Sequence, residues 1–269
     1  MNITFIGGGN MGEAMLAALL DRKVGQPGAI TVSDVSDARR SYLAQKYGVN
    51  TTGDNHLAVG KGEVIVFAIK PQNLVQVMAD LKGQLKSTQL LLSIVAGARI
   101  STLRQGLAHE AIVRAMPNTP AQIGEGMTVW TATAVVTGPQ KKWATDILSS
   151  IGKETFVADE KFIDMATAVS GSGPAYFFYF VEALVAAAME IGFSAEIAQE
   201  LVMQTMLGSG HLVQKSNKSP AELRRMVTSP GGTTAEALAV LEKGSFTGLI
   251  QQAVVAAYDK AKKLGDERS

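Results

Sequence analysis

The chain contains no cysteine. Disulfides, thiolate metal sites and cysteine nucleophiles are therefore excluded. Histidine is scarce: His56, His109 and His211 stand far apart and match no ligand spacing, so no metal site is expected. An excess of one charge is also missing. The 25 basic and 24 acidic residues leave a formal net charge of +1. That balance gives no electrostatic ground for binding nucleic acid or an anionic membrane, and neither is expected as a partner. Long apolar runs are lacking too. The longest, Tyr176 to Met189, is interrupted by Glu182 and reads as too short to span a bilayer, so a buried core or interface helix is expected there. The N-terminus runs into glycines without a basic flank, and a cytoplasmic location is the expectation.

What is present suits a soluble globular protein: 269 residues, 46% apolar and 18% charged. One large or two modest domains are expected. The first half alternates strand-like and helix-like segments. Strands are predicted at Ile3–Ile6, Ile30–Ser33, Val64–Ile69, Leu90–Val95 and Ile112–Ala115. Helices are predicted at Gly12–Arg22, Ala38–Tyr47, Gln72–Leu81 and Ile100–Gly106. That order argues for βαβ units and a parallel sheet. A shorter strand-like pair, Met127–Thr131 and Glu154–Val157, flanks a further helix at Pro139–Ile151. Beyond residue 160 the pattern is helical throughout, with segments at Ala175–Ile191, Ala195–Lys215, Pro220–Val227, Thr233–Lys243 and Phe246–Lys263. Two domains, 1–159 and 160–269, follow from that change.

Two loops carry chemistry. Gly7, Gly9 and Gly12 form G-x-G-x-x-G directly after a strand and at the start of a helix, the context of a dinucleotide-binding fingerprint. Gly7 permits the tight turn, Gly9 the approach of a pyrophosphate and Gly12 close helix–strand packing. Asp34 lies about 20 residues further on, where a carboxylate would meet ribose hydroxyls and favour NAD. Ser33, Ser36, Arg39 and Arg40 crowd the same region and suit a 2′-phosphate, so the choice between NAD and NADP stays open. Lys70-Pro71 ends the strand at 64–69, on the side where such sheets bind cofactors, and the small residues Ala96 and Gly97 follow the next strand. A stiff loop, Met116-Pro117-Asn118-Thr119-Pro120, follows the fifth. Near the C-terminus, Ser229-Pro230-Gly231-Gly232-Thr233-Thr234 reads as an anion cradle. Two glycines allow a sharp turn, and free N–H groups at a helix start would face the ligand. Thr233 with Glu236 reads as a capping box.

These segments together resemble pyrroline-5-carboxylate reductase. The matching blocks are Phe5-Ile6-Gly7-Gly8-Gly9-Asn10-Met11-Gly12, Lys70-Pro71, Ala115-Met116-Pro117-Asn118-Thr119-Pro120, Gly171-Ser172-Gly173-Pro174-Ala175-Tyr176 and Ser229-Pro230-Gly231-Gly232-Thr233-Thr234. The resemblance implies an α/β Rossmann-like N-terminal domain plus an all-α C-terminal dimerisation domain. It implies hydride transfer from NADPH or NADH to 1-pyrroline-5-carboxylate, giving L-proline, in a homodimer that assembles into a decamer. It places the cofactor against Ile6, Gly7, Gly8, Gly9, Asn10, Met11, Gly12, Ser33, Asp34, Ser36, Asn55, Ala68, Ile69, Lys70, Pro71, Ala96, Gly97 and Asn118. The substrate falls to Ser229, Gly231, Gly232, Thr233, Thr234 and Glu160, with Thr234 as the catalytic hydroxyl near the imine nitrogen. Two positions depart from the family pattern: Asn217 stands where many relatives are acidic, and Met226 where they are often polar. A keto-acid reductase of similar architecture would need a proton donor in the helical half, for which Lys215 and Lys218 qualify by type alone. A non-catalytic cofactor sensor would lack the second loop, and a helical scaffold would not need the first.

Overall fold

The computed structural model describes residues 1–267. Among the described residues, eight strands and twelve α-helices follow one another along the chain. In order they are β1 (Ile3–Ile6), α1 (Asn10–Asp21), β2 (Ile30–Ser33), α2 (Asp37–Tyr47), β3 (Asn50–Thr52), α3 (Asn55–Val59), β4 (Val64–Phe67), α4 (Leu74–Leu81), β5 (Leu90–Ser93), α5 (Ile100–Leu107), β6 (Ile112–Met116), β7 (Gly126–Ala132), α6 (Gly138–Ser150) and β8 (Gly152–Phe156). The helical part comprises α7 (Lys161–Ala166), α8 (Gly173–Glu190), α9 (Ala195–Lys215), α10 (Pro220–Met226), α11 (Thr233–Lys243) and α12 (Phe246–Asp266). By density of contacts the chain forms two units. One is Met1–Ser172 with the chain from Ala256, and the other is Gly173–Val255.

The first unit is built on one sheet of order β3-β2-β1-β4-β5-β6-β7-β8. Strands buried on both faces must be apolar throughout, and here alternate residues feed opposite layers. Ile3, Phe5, Val64, Val66, Leu90, Leu92, Val113 and Ala115 pack with Met15, Leu16 and Leu19 of α1 and Ile147 and Leu148 of α6. Ile6, Ile65, Phe67, Leu91 and Ile112 pack with Leu74, Met78 and Leu81 of α4 and Leu103 and Leu107 of α5.

The expected parallel sheet holds from β3 to β6, but β7 runs antiparallel to β6 before β8 pairs parallel with β7. A parallel crossover needs a dozen or more residues. Only the short, proline-stiffened loop with a tight turn at Thr119–Ile123 joins β6 to β7, so the chain doubles back. Three pieces escaped sequence reading. β3 is three polar residues on the sheet edge, α3 is five residues capped by Asp54, and α7 runs on into a π-helical turn at Thr167–Gly171.

The second unit is helical and open. In α8 only Gly173 is buried, in α9 only Ala198 and Val202, and in α10 and α11 no residue is. The helical stretch Lys161–Glu190 is 30 residues long and holds an 18-residue window of mean hydropathy 1.3, long and apolar enough to cross a membrane by length and composition only. The run 176–189 lies inside this longer stretch because a π-helical turn at Thr167–Gly171 continues the helix begun at Lys161. An apolar helix left uncovered within its own chain calls for a partner surface.

Candidate active site

β1, β2, β4, β5 and β6 are mutually parallel, so their C-terminal ends share one edge of the sheet. The order reverses at β1, between β2 and β4, which opens a crevice at that edge. The loops nominated for the cofactor leave from it: 7–12, 33–36, 68–71, 96–97 and 118, with Asn55 just beyond β3.

The three fingerprint glycines have different causes. Gly7 sits at φ +98°, and a Cβ there would lie 2.7 Å from the Ala68 carbonyl oxygen. A Cβ on Gly12 would lie 2.6 Å from the Gly7 carbonyl oxygen. Both are demanded by the protein's own backbone. Gly8 is close-packed too, its Cβ position 2.7 Å from Leu43 Cδ1. Gly9 differs. It is exposed, and a Cβ on it would meet no atom within 4 Å. Gly9 is also the N-cap of α1 and supplies no capping side chain. The first-turn N–H groups of Asn10, Met11 and Gly12 have no intrahelical partner, the space beside Gly9 is open, and the positive end of the helix dipole lies behind it, which suits a diphosphate.

Asp34 follows β2. Its Oδ2 accepts from the Gly8 N–H at 2.9 Å and its Oδ1 from the Ser36 N–H at 2.9 Å, so the carboxylate ties the glycine loop to β2. Ser36 caps α2 by accepting from the Arg39 N–H. Ser33 Oγ donates to Asn55 Oδ1 at 2.7 Å, and Asn55 Nδ2 to Asp80. Arg39 and Arg40, which the sequence left available to a phosphate, are both engaged. Arg39 bonds Gly8 O and Glu13, and Arg40 bonds the Asp34 carbonyl and Asp37.

Glu13, which carried no role in the sequence reading, gathers Arg39, Lys46, Tyr42 and Tyr47. Burial would raise its carboxyl, but hydrogen bonds from Tyr47, Lys46, Arg39 and Tyr42 outweigh that and hold it down to about 2, against an ordinary 4.5. The folded value lies below the unfolded one. The stabilisation is therefore complete above the ordinary value and lost as pH falls toward 2. Urea midpoints of the protein are expected to drop between about pH 5.5 and about pH 3, and Glu13→Gln to flatten that part of the profile.

Further along the edge, Lys70 is exposed and has no ion pair among the described residues, and Pro71 opens a short helical turn after it. Gly97 turns at φ +73°. Asn118 has its side-chain amide occupied at both ends, donating to Ser170 O and accepting from the Met127 N–H. Glu160 accepts from Arg114 Nη1 at 2.7 Å and from the Ile100 N–H at 2.8 Å. Arg114 is 2% exposed, and its Nη2 reaches Asp164 Oδ1 at 2.8 Å. Glu160 thus joins β6, α5 and α7. The signal for this triad was a lone arginine inside an apolar strand.

In the second unit, the 229–234 turn is sharp. Gly231 lies at φ +69°, and Gly232 N–H bonds Ser229 O at 3.1 Å. A Cβ on Gly232 would lie 2.5 Å from Ser229 Oγ. The helix begins at Thr233 as expected, but the capping box does not form. Gly232 in extended backbone is the N-cap of α11, which puts Thr233 and Glu236 one position out of register for a box. No side chain caps this helix. By contrast Ser219 and Glu222 form a full box on α10. The N–H groups of Thr233, Thr234 and Ala235 consequently lack intrahelical or side-chain partners, which leaves them open to an anion. Met226 ends α10 exposed, and Asn217 lies in the turn before it.

Residues 160–264 match the family model described as pyrroline-5-carboxylate reductase dimerisation. The chain is 42% identical over 265 residues to the pyrroline-5-carboxylate reductase of Synechocystis sp., covering 98% of each. The chain belongs to the pyrroline-5-carboxylate reductase family. A second model, described as NADP oxidoreductase, coenzyme F420-dependent, matches residues 2–97. The solved pyrroline-5-carboxylate reductase of Coxiella burnetii superposes with TM-score 0.90 at 39% identity, covering 98% of each chain. That of Plasmodium falciparum, solved with NADP bound, gives 0.89 at 34% identity, again covering 98% of each. As a pyrroline-5-carboxylate reductase, the chain is an NAD(P)H-dependent oxidoreductase with a Rossmann-like sheet and a helical dimerisation domain. The exposed apolar faces of α8 and α9 thereby find their explanation in homo-oligomerisation.

Proposed function

We propose that the Ser229–Thr234 turn receives the substrate carboxylate and that Thr234 aims the imine during reduction of 1-pyrroline-5-carboxylate to L-proline. The observation that supports this is the start of α11: uncapped amides, a left-handed Gly231 and two threonine hydroxyls in one turn. A carboxylate is the anion such a helix start accepts best. Thr233 and Thr234 add rotatable donors.

Bound NAD(P)H supplies the hydride, which adds to C5 of the C=N bond while the nitrogen keeps its proton. A protonated imine is already electrophilic, so the protein's share is orientation and charge placement rather than a strong acid. The N-terminus of α1 would hold the cofactor diphosphate, and Asp34 would hold the adenosine ribose. Ser33, Ser36, Asn55 and the 68–71, 96–97 and 118 segments line the remainder. Glu160 acts on the substrate side through the position it gives α7. The helical substrate and dimerisation domain is taken from residue 160, where the dimerisation match also begins. The protein works in the cytoplasm as a homodimer that assembles into a decamer.

Thr234→Ala is expected to lower kcat/KM by about tenfold or more, with the loss visible in kcat as well as KM. Thr234→Ser is expected to keep most of the activity. Steady-state kinetics unchanged in Thr234→Ala would remove the hydroxyl from the mechanism.

A further inference from the structure

A single carboxylate organises the basic face of α2. Glu13 stands one residue beyond the last fingerprint glycine, in the first turn of α1. Its Oε2 pairs with Arg39 Nη2. Its Oε1 accepts from Lys46 Nζ at 3.0 Å, Tyr47 Oη at 2.7 Å and Tyr42 Oη at 3.1 Å. Arg39 also gives its Nε to the Gly8 carbonyl. The N–H of that same Gly8 goes to Asp34 Oδ2. Arg39 and Asp34 thus hold the carbonyl and the N–H of the same residue, Gly8.

A guanidinium at this place is the group that a ribose 2′-phosphate would pair with. Here it is committed elsewhere. To reach a phosphate it must leave both Gly8 O and Glu13. Its neighbour Arg40 is committed too, Nη1 to the Asp34 carbonyl at 2.6 Å and Nη2 to Asp37. We infer that Glu13 is a specificity-determining residue: by latching Arg39 onto the glycine loop it withholds that guanidinium from a 2′-phosphate and biases the site toward NADH. Glu13 stays ionised at every working pH, so the latch does not open by protonation. Asp34 acts differently, by facing the ribose directly. Glu13 acts only through Arg39, and its effect must vanish when Arg39 is gone.

The test is calorimetric titration of the full-length protein with NADH and NADPH separately, comparing wild type, Glu13→Gln, Arg39→Met and the double variant. Glu13→Gln is expected to shift the ratio of dissociation constants toward NADPH by about tenfold, the worth of one charge-assisted hydrogen bond. The double variant is expected to lose that shift. Arg39→Met alone is expected to leave the ratio unchanged, because a latched arginine contributes nothing to discrimination. Equal weakening of both cofactors in Glu13→Gln would overturn the inference, leaving Glu13 a prop for the loop. So would a selective loss of NADPH affinity in Arg39→Met, a result that can be read even if Glu13→Gln folds poorly.

Discussion

Phe177→Asp is expected to convert the protein into a monomer and to reduce its reductase activity by about 100-fold or more. Phe177 is 66% exposed in the single chain, and Phe178 and Tyr179 beside it are 63% and 73% exposed. If α8 faced water, replacing such a residue would change stability by about 0.5 kcal/mol at most. In an interface the same change removes a buried ring and buries a carboxylate without a partner, at a cost of several kcal/mol. The two accounts therefore differ by far more than measurement error. Phe180 and Leu184 share the face of Phe177 by helical spacing and are also exposed, so the patch is continuous along α8. Light scattering on the eluting protein, with activity measured on the same fractions, decides the matter. A variant that keeps the wild-type mass and rate would show that this face is not covered in the working enzyme.

Gly9→Val and Gly12→Val are expected to fail in opposite ways. A Cβ on Gly12 would lie 2.6 Å from the Gly7 carbonyl oxygen, so a valine there must push backbone aside. Its expected cost is about 3 kcal/mol or more, seen as a lower melting temperature without any ligand. Gly9 lies at φ −65° with open space beside it, so its backbone accepts a side chain. The melting temperature of ligand-free Gly9→Val is therefore expected within a few degrees of wild type. Its affinity for both NADH and NADPH is expected to fall by about 100-fold, because the valine occupies the volume next to the uncapped amides. Melting curves with and without cofactor separate the two. Normal cofactor stabilisation in Gly9→Val would mean that the diphosphate does not lie against α1.

Much of this architecture could be read from residue order. Strands buried on two faces announce themselves as apolar runs, and Ile3–Ile6 and Ile30–Ser33 emerged with the predicted bounds. So did Thr233–Lys243, since helical periodicity over eleven residues is a strong signal. What was illegible was either short or non-local. The three polar residues of β3 have no pattern of their own and are strand only because β2 offers an edge. The reversal at β7 depended on loop length, not on strand composition. At Thr233 the register of the cap was off by one because glycine, with no side chain to signal it, took the N-cap. Arg39 looked free because its partner Glu13 lies on another helix, and Arg40 because a carbonyl, that of Asp34, takes part of its guanidinium. That commitment across helices is the observation from which the proposed role of Glu13 is argued.

The most direct measurement is of product as well as cofactor. The purified protein is incubated with 1-pyrroline-5-carboxylate and either NADH or NADPH, and L-proline is quantified against the reduced cofactor consumed. One L-proline for each reduced cofactor oxidised is the expected result. Cofactor consumption with 2-keto acids, and none with the cyclic imine, would contradict it.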